Sequence, residues 1–231
     1  MRRVLISGGG GGIGLACAAS FRKAGDEVWL LGRDGSRLEA AKETLGGGGV
    51  EIRVCDVGSA AAVEALGAEL RERALPVDVL VNNAGLFLAG SLLKAREEKA
   101  AAMWEVHVMG PWRLLRQCAD PALRQGRPLR VVNILSVTAQ QAYAGCGFYG
   151  ATKAALANLM ATARAELRGQ CVRISNIHPG ATETPIWGGR DMDYQRMMDA
   201  DSVAAAVRLC ADLPERSLVE EMVLRPAGGD L

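Results

Sequence analysis

Short apolar runs alternate along the whole chain with longer stretches of helical spacing, and this alternation predicts an α/β fold. The expected architecture is one doubly wound parallel sheet of about seven strands, flanked by helices on both faces. Two further observations support it. The first strand-helix-strand unit is explicit, and neither a fixed-period repeat nor an interdomain linker interrupts the chain, so residues 1–231 are expected to form a single domain.

Val4 to Ser7 reads as the first strand. Gly12 to Ala24 then places Ile13, Ala16, Cys17, Phe21 and Ala24 at helical spacing, Gly25-Asp26 stops that helix, and Val28 to Leu31 reads as the second strand. Later strands are expected at Val50 to Val54, Val77 to Val81, Leu129 to Leu135, Val172 to Ile177 and Leu218 to Leu224. Helices are expected near 36–45, 59–74, 97–118, 148–168 and 201–212, with Gly46 to Gly49 as a flexible turn.

Composition narrows the function classes. The 231 residues are 49% hydrophobic and 23% charged, enough apolar material for a sizeable core. A formal net charge of +1, with no block of like charges, argues against nucleic acid as a partner. Only Val4, Leu5 and Ile6 separate Met1-Arg2-Arg3 from a glycine tract, too short for a signal-peptide core, and no apolar run reaches membrane-spanning length. A cytoplasmic location is expected. The cysteines at 17, 55, 118, 146, 171 and 210 lack the close pairs that zinc sites use, so they read as reduced core residues. Cys146 is the exception, because Gly145 and Gly147 place it in an exposed loop ahead of Tyr149.

The glycine tract points to a ligand. Ser7-Gly8-Gly9-Gly10-Gly11-Gly12-Ile13-Gly14 follows a strand and opens a helix, where a chain without Cβ atoms lets backbone N–H groups approach a pyrophosphate. Dinucleotide binding is the reading this context favours. At the end of the second strand, Leu30-Leu31-Gly32-Arg33 offers no carboxylate for a free ribose. Arg33, with Arg37 as a second contact, suits a 2′-phosphate, so NADP(H) is favoured and NAD(H) stays open. On the alternative reading Arg33 is a solvated surface residue and Asp34 an ordinary helix cap.

Tyr149 and Lys153, four residues apart, fall on one helix face, with Ser136 thirteen residues before the tyrosine. An ammonium beside a phenol is expected to lower its pKa toward working pH and make it a proton donor and acceptor, as carbonyl reduction requires.

Together these segments resemble the short-chain dehydrogenase/reductase family, in its motif order and over nearly the whole chain, and the resemblance implies a Rossmann-type fold. Ser7-Gly8-xxx-Gly12-Ile13-Gly14 resembles the family's cofactor turn, with serine for threonine. Asp56-Val57 resembles the acidic segment that meets the adenine, and Asn82-Asn83-Ala84-Gly85 the segment after the fourth strand. Ser136 ends a strand similar to the one bearing the catalytic serine, and Tyr149-xxx-Lys153 is similar to the family's Y-x-x-x-K. Pro179-Gly180, with Thr182 and Thr184, resembles the segment at the nicotinamide end. The roles implied are Ser136 orienting a carbonyl, Tyr149 donating the proton and Lys153 bonding the nicotinamide ribose. Read without the family, Asn82 and Asn83 are turn formers and Asp56 a cap.

Two departures matter. Where the family carries an asparagine that holds a relay water, this chain has His107. Either the imidazole bonds water and shuttles protons, or it is a partly buried structural residue. Secondly, Gly11 stands where NADP-preferring members often carry a basic residue, which makes the cofactor preference mild.

The substrate pocket is expected to be lined by Leu86, Phe87, Leu88, Tyr143, Phe148 and the stretch Ile186 to Met198, including Trp187, with Pro185 to Arg190 as a lid. Arg190 or Arg196 would pair with a substrate carboxylate, or else be solvated. An apolar ketone or aldehyde fits this lining. The resemblance also implies a homodimer or homotetramer through the helices near 97–118 and 148–168. The leading function is an NADP(H)-dependent carbonyl reductase or alcohol dehydrogenase. The alternatives are a non-catalytic NADP(H)-binding regulatory or scaffold protein and a sugar-nucleotide epimerase or dehydratase, for which the segment after Pro179 is short.

Overall fold

The computed structural model describes residues 1–189 and 192–229. Seven strands, β1 (Arg3–Ser7), β2 (Glu27–Gly32), β3 (Val50–Val54), β4 (Val79–Asn82), β5 (Leu129–Ile134), β6 (Val172–Pro179) and β7 (Glu221–Leu224), form one parallel sheet in the order β3-β2-β1-β4-β5-β6-β7. The helices are α1 (Gly12–Lys23), α2 (Gly35–Thr44), α3 (Ala60–Glu72), α4 (Glu97–Trp104), α5 (Gly110–Gln125), α6 (Gly147–Glu166) and α7 (Ala200–Asp212).

The central strands β1, β2, β4 and β5 are largely apolar because both faces of the sheet are covered there, whereas the edge strands β3 and β7 are partly exposed. Successive side chains point to opposite faces, so each strand feeds two cores. Leu5, Trp29, Leu31, Leu80, Val131 and Ile174 pack with residues of α3, α5 and α6. Their neighbours Val4, Ile6, Val28, Leu30, Val79, Val81 and Val132 pack on the other face, where Cys17, Ala18 and Phe21 of α1 meet Val203, Val207 and Cys210 of α7. Four cysteines, Cys17, Cys55, Cys118 and Cys210, are buried as expected.

Strand order reverses direction between β1 and β4, so the loops following these two strands diverge and leave a crevice at the carboxyl ends. The register aligns a row of polar residues across β4 to β7: Asn82 beside Asn133, Asn133 beside Asn176, Asn176 beside Glu221. Each amide donates to the next residue, at 2.8, 2.9 and 2.9 Å, and the row ends on the acceptor-only carboxylate of Glu221. Asn82 lies in β4 rather than in a turn, and it begins this ladder.

Most elements lie where the sequence places them, with β4 and β7 starting later than expected, at Val79 and Glu221. The expected helix near 97–118 differs most. A π turn (Glu105–Met109) separates α4 from α5, and α5 runs through Pro121 to Gly126, whose φ of 62° ends it. Continuous burial of Leu114, Leu115, Cys118, Ala119 and Ala122 outweighs the backbone bond that Pro121 cannot make, a loss of about 3 kcal/mol.

Candidate active site

The crevice holds a cavity of about 620 Å³ that brings together the loops following β1, β2, β3, β4, β5 and β6. At its base the glycine turn is held by side chains from the neighbouring strand. Ser7 Oγ accepts from the Asn83 and Ala84 N–H groups at 3.0 and 3.1 Å. Asn83 Nδ2 in turn donates to the Ser7 and Gly8 carbonyls at 3.0 and 3.1 Å. Gly8 has φ +68° and Gly12 φ +52°, values that L side chains rarely adopt. A Cβ on Gly14 would lie 2.2 Å from the Gly8 oxygen, so the turn closes only over bare backbone there. Ser7 and Gly14 thus shape the turn from beneath, while Gly8, Gly12 and Ile13 face the cavity.

Arg33 and Arg37 are exposed and line the same cavity, and a Cβ on Gly11 would meet an Arg37 guanidinium nitrogen at 3.8 Å. Asp34 lines the cavity beside them, with its carboxylate engaged in a helix cap. Its carboxylate accepts from the Ser36 hydroxyl at 2.6 Å and the Arg37 N–H at 3.1 Å, capping α2, and these bonds hold its pKa below the usual carboxylate value. Asp56 Oδ1 accepts from the Gly58 N–H at 2.9 Å, so Asp56 is a turn cap that also lines the cavity beside Val57. Asn83, Ala84, Gly85, Pro179, Gly180, Thr182 and Thr184 complete this wall.

Ser136, Tyr149 and Lys153 converge in the same cavity. Ser136 follows β5 and is 8% exposed, with its Oγ accepting from the Thr138 N–H at 3.1 Å. The 3-10 turn that starts there rests directly on α6, and a Cβ on Gly150 would sit 2.8 Å from the Thr138 oxygen. That close approach sets Ser136 against Tyr149. Lys153 is 4% exposed, donates to the Ile134 carbonyl at 2.8 Å, and lies over the Tyr149 ring at 5.7 Å from its centroid.

The expected lowering of the tyrosine pKa is not what this geometry produces. Burial pushes the phenol up to about 12, with the Ser136 hydrogen bond working against it. Burial also brings Lys153 down to about 8. The ammonium is aimed at a backbone carbonyl and the ring face rather than at the hydroxyl, so desolvation decides both values.

His107 sits in the π turn, fully buried, its ring edge-on to Tyr149 at 5.4 Å. Its Nε2 accepts from the Leu86 N–H at 2.9 Å and its Nδ1 meets Thr152 Oγ1 at 2.8 Å. Both ring nitrogens are taken by protein groups, so the expectation of a water-holding proton shuttle finds no ring nitrogen to serve it. Burial, and then the nearby Lys153 charge, push its pKa down to about 2.

An aromatic wall closes the pocket. Phe87 lies edge-on to Tyr149 at 5.0 Å and to Trp187 at 5.3 Å, and the Trp187 indole donates to the Thr182 carbonyl at 2.8 Å. Leu86, Tyr143, Ile186 and Met192 also line it, and Tyr143 OH accepts from Arg225 at 3.1 Å. Phe148 and Leu88 depart from expectation: they are 39% and 37% exposed and do not line the cavity, nor does Arg196. Tyr149 faces inward, so its neighbour Phe148, about 100° around the helix, cannot. Arg190 lies outside the described residues. Sequence reasoning missed Thr152, the Asn133 and Asn176 ladder, and the His178–Glu221 contact at 2.7 Å. Identical amides at equivalent positions of three successive strands were the available signal for the ladder.

Residues 2–195 match the family model described as short chain dehydrogenase, and the chain belongs to that family. Among its relatives is a sepiapterin reductase of Chlorobaculum tepidum, 32% identical over 99% of this chain and 97% of the relative. Among solved structures, an alcohol dehydrogenase from the archaeon Thermococcus sibiricus complexed with 5-hydroxy-NADP superposes with a TM-score of 0.89. It is 31% identical, covering 98% of this chain and 97% of that one. A closed serine dehydrogenase complexed with NADP+ gives a TM-score of 0.89 at 28% identity, over 96% and 94% of the two chains.

Proposed function

We propose that this protein is an NADP(H)-dependent carbonyl reductase, converting a ketone or aldehyde to an alcohol, with the reverse oxidation on the same path. The observation that carries the reading is the presence of Ser136, Tyr149 and Lys153 in one cavity with the glycine turn, Arg33 and Arg37. The dinucleotide fits the residues present: the turn is bare where a Cβ would collide, and two guanidinium groups flank it, the Asp34 carboxylate beside them being held in the α2 cap. The nicotinamide, when bound, supplies or accepts the hydride.

Arg33 and Arg37 take the 2′-phosphate, Asp56 and Val57 border the adenine, and Asn83, Ala84, Gly85, Pro179, Gly180, Thr182 and Thr184 border the ribose and nicotinamide. Lys153 bonds the nicotinamide ribose. Ser136 Oγ accepts from Thr138 and bonds the Tyr149 hydroxyl, and its single hydrogen turns to the substrate carbonyl when substrate binds. Tyr149, protonated at neutral pH, delivers its proton to the carbonyl oxygen as the alcohol forms. The wall of Leu86, Phe87, Ile186, Trp187 and Met192 favours an apolar substrate. The protein is a homodimer or homotetramer, with Trp104, 46% exposed at the end of α4, at the subunit contact.

The test is oxidation of NADPH, and separately NADH, against a panel of ketones, aldehydes and quinones, with Tyr149→Phe beside the parent. Turnover that vanishes in the variant supports the reading. Equal turnover in both proteins overturns the tyrosine's role.

A further inference from the structure

We infer that His107 is a positioning residue, a neutral clamp that ties the pocket-lining segment at Leu86 to the backbone of the catalytic tyrosine. The inference rests on the reductase reading above and assigns a role to the position where this chain departs from its family's asparagine.

The three bonds around the ring leave one arrangement of protons. Thr152 has a single hydroxyl hydrogen, and it goes to the Tyr149 carbonyl at 2.8 Å. Toward His107 the Thr152 oxygen can then only accept, so Nδ1 carries the ring proton across the 2.8 Å contact. Nε2 is left with a lone pair, and it accepts the Leu86 N–H at 2.9 Å. Every donor has an acceptor. An imidazolium would set a second N–H against that of Leu86 in a site with no exposure to solvent, and Lys153 adds a like charge nearby.

The fold presents the ring through the π turn at Glu105–Met109, an irregularity frequent at functional sites. On one side the clamp holds Leu86 and hence Phe87, whose ring packs against Tyr149 and Trp187. On the other it acts through Thr152 on the first turns of α6. A single side chain therefore spans the substrate wall and the acid/base helix without exchanging a proton.

The two ends can be separated. An asparagine at 107 puts an amide nitrogen near the Nδ1 position, keeps the bond to Thr152 and loses the one to Leu86. A glutamine puts its oxygen near Nε2, keeps Leu86 and loses Thr152. His107→Asn is expected to raise KM for the carbonyl about tenfold with kcat nearly kept, and His107→Gln and Thr152→Val to lower kcat about tenfold with KM nearly kept, each reflecting one buried hydrogen bond. The double variant His107→Gln/Thr152→Val should be no slower than either single one. Parallel losses in kcat and KM in all variants, or additive losses in the double, would overturn the inference.

A second readout needs no substrate. The chain has two histidines, so long-range 15N–1H spectra of histidine-labelled protein give two ring systems, with that of His107 assigned by its loss in His107→Asn. The expected signature is the Nδ1–H tautomer, unchanged from pH 5 to 8. A midpoint near 6.5 or an Nε2–H tautomer would refute the clamp. If the parent turns over no carbonyl at all, the reductase reading fails, and the spectra still decide whether His107 is locked as described.

Discussion

Gly14→Ala is the most exacting test of the glycine turn, because its cost can be worked from the contacts around one added methyl. The new Cβ would stand 2.2 Å from the Gly8 oxygen and 2.6 Å from Asn83 Nδ2. Neither neighbour is the loose end of a flexible chain: one is backbone, and the other makes hydrogen bonds of 3.0 and 3.1 Å to the turn. Relieving the overlap costs about 2 kcal/mol by the usual penalty for overpacking. Losing both Asn83 bonds adds about 2 kcal/mol, and replacing glycine by alanine within a helix returns about 1 kcal/mol. The net is about 3 kcal/mol, which for a chain of this size lowers Tm by about 9 °C. Gly11→Ala is the matched control. Its φ of 172° suits any residue, and its Cβ would meet nothing nearer than 3.8 Å, so its Tm should stay within about 2 °C of the parent. Differential scanning calorimetry of the three proteins decides. Equal Tm values for Gly14→Ala and the parent would refute the claim that the turn closes only over bare backbone.

Other expectations are simpler to state. Arg33→Ala should weaken NADPH about tenfold and leave NADH within about twofold, as one charge-assisted contact predicts; equal losses in a fluorescence titration would remove the 2′-phosphate assignment. Lys153 is charged below about 8, so kcat/KM for reduction should hold level toward neutral pH and fall as pH rises above that value; an invariant profile to pH 10 would show that the ammonium is not needed. The same shift has a sign for stability. The folded lysine releases its proton near 8 and the unfolded one near 10.5, so this group makes the fold more stable as pH rises between those values. Tyr149 opposes it between 10 and about 12, where only the unfolded phenol ionises. Asn133→Leu should destabilise by about 3 kcal/mol in urea, because it orphans the Asn82 donor and the Asn176 acceptor in a closed interior; a loss below about 1 kcal/mol would mean that the row contributes little.

The alternation of apolar runs with helical stretches, the bare turn from Gly8 to Gly14, and the Tyr149–Lys153 spacing were legible from the chain alone, since each depends on residues near one another in sequence. Local periodicity is enough to specify a strand buried on both faces, and a four-residue interval places two side chains on one helix face wherever that helix goes. What only the tertiary structure decided are properties of atoms brought together from distant segments. The His107 ring is set by Leu86 on one side and Thr152 on the other, and nothing within Val106-His107-Val108 announces either partner. Phe148 turned outward because α6 commits its inward face to Tyr149. Asn82, Asn133 and Asn176 became a ladder only when the register put them side by side. The direction of the Tyr149 pKa follows from the same cause, since sequence reasoning counts the charge four residues away while the folded site also removes the water around it.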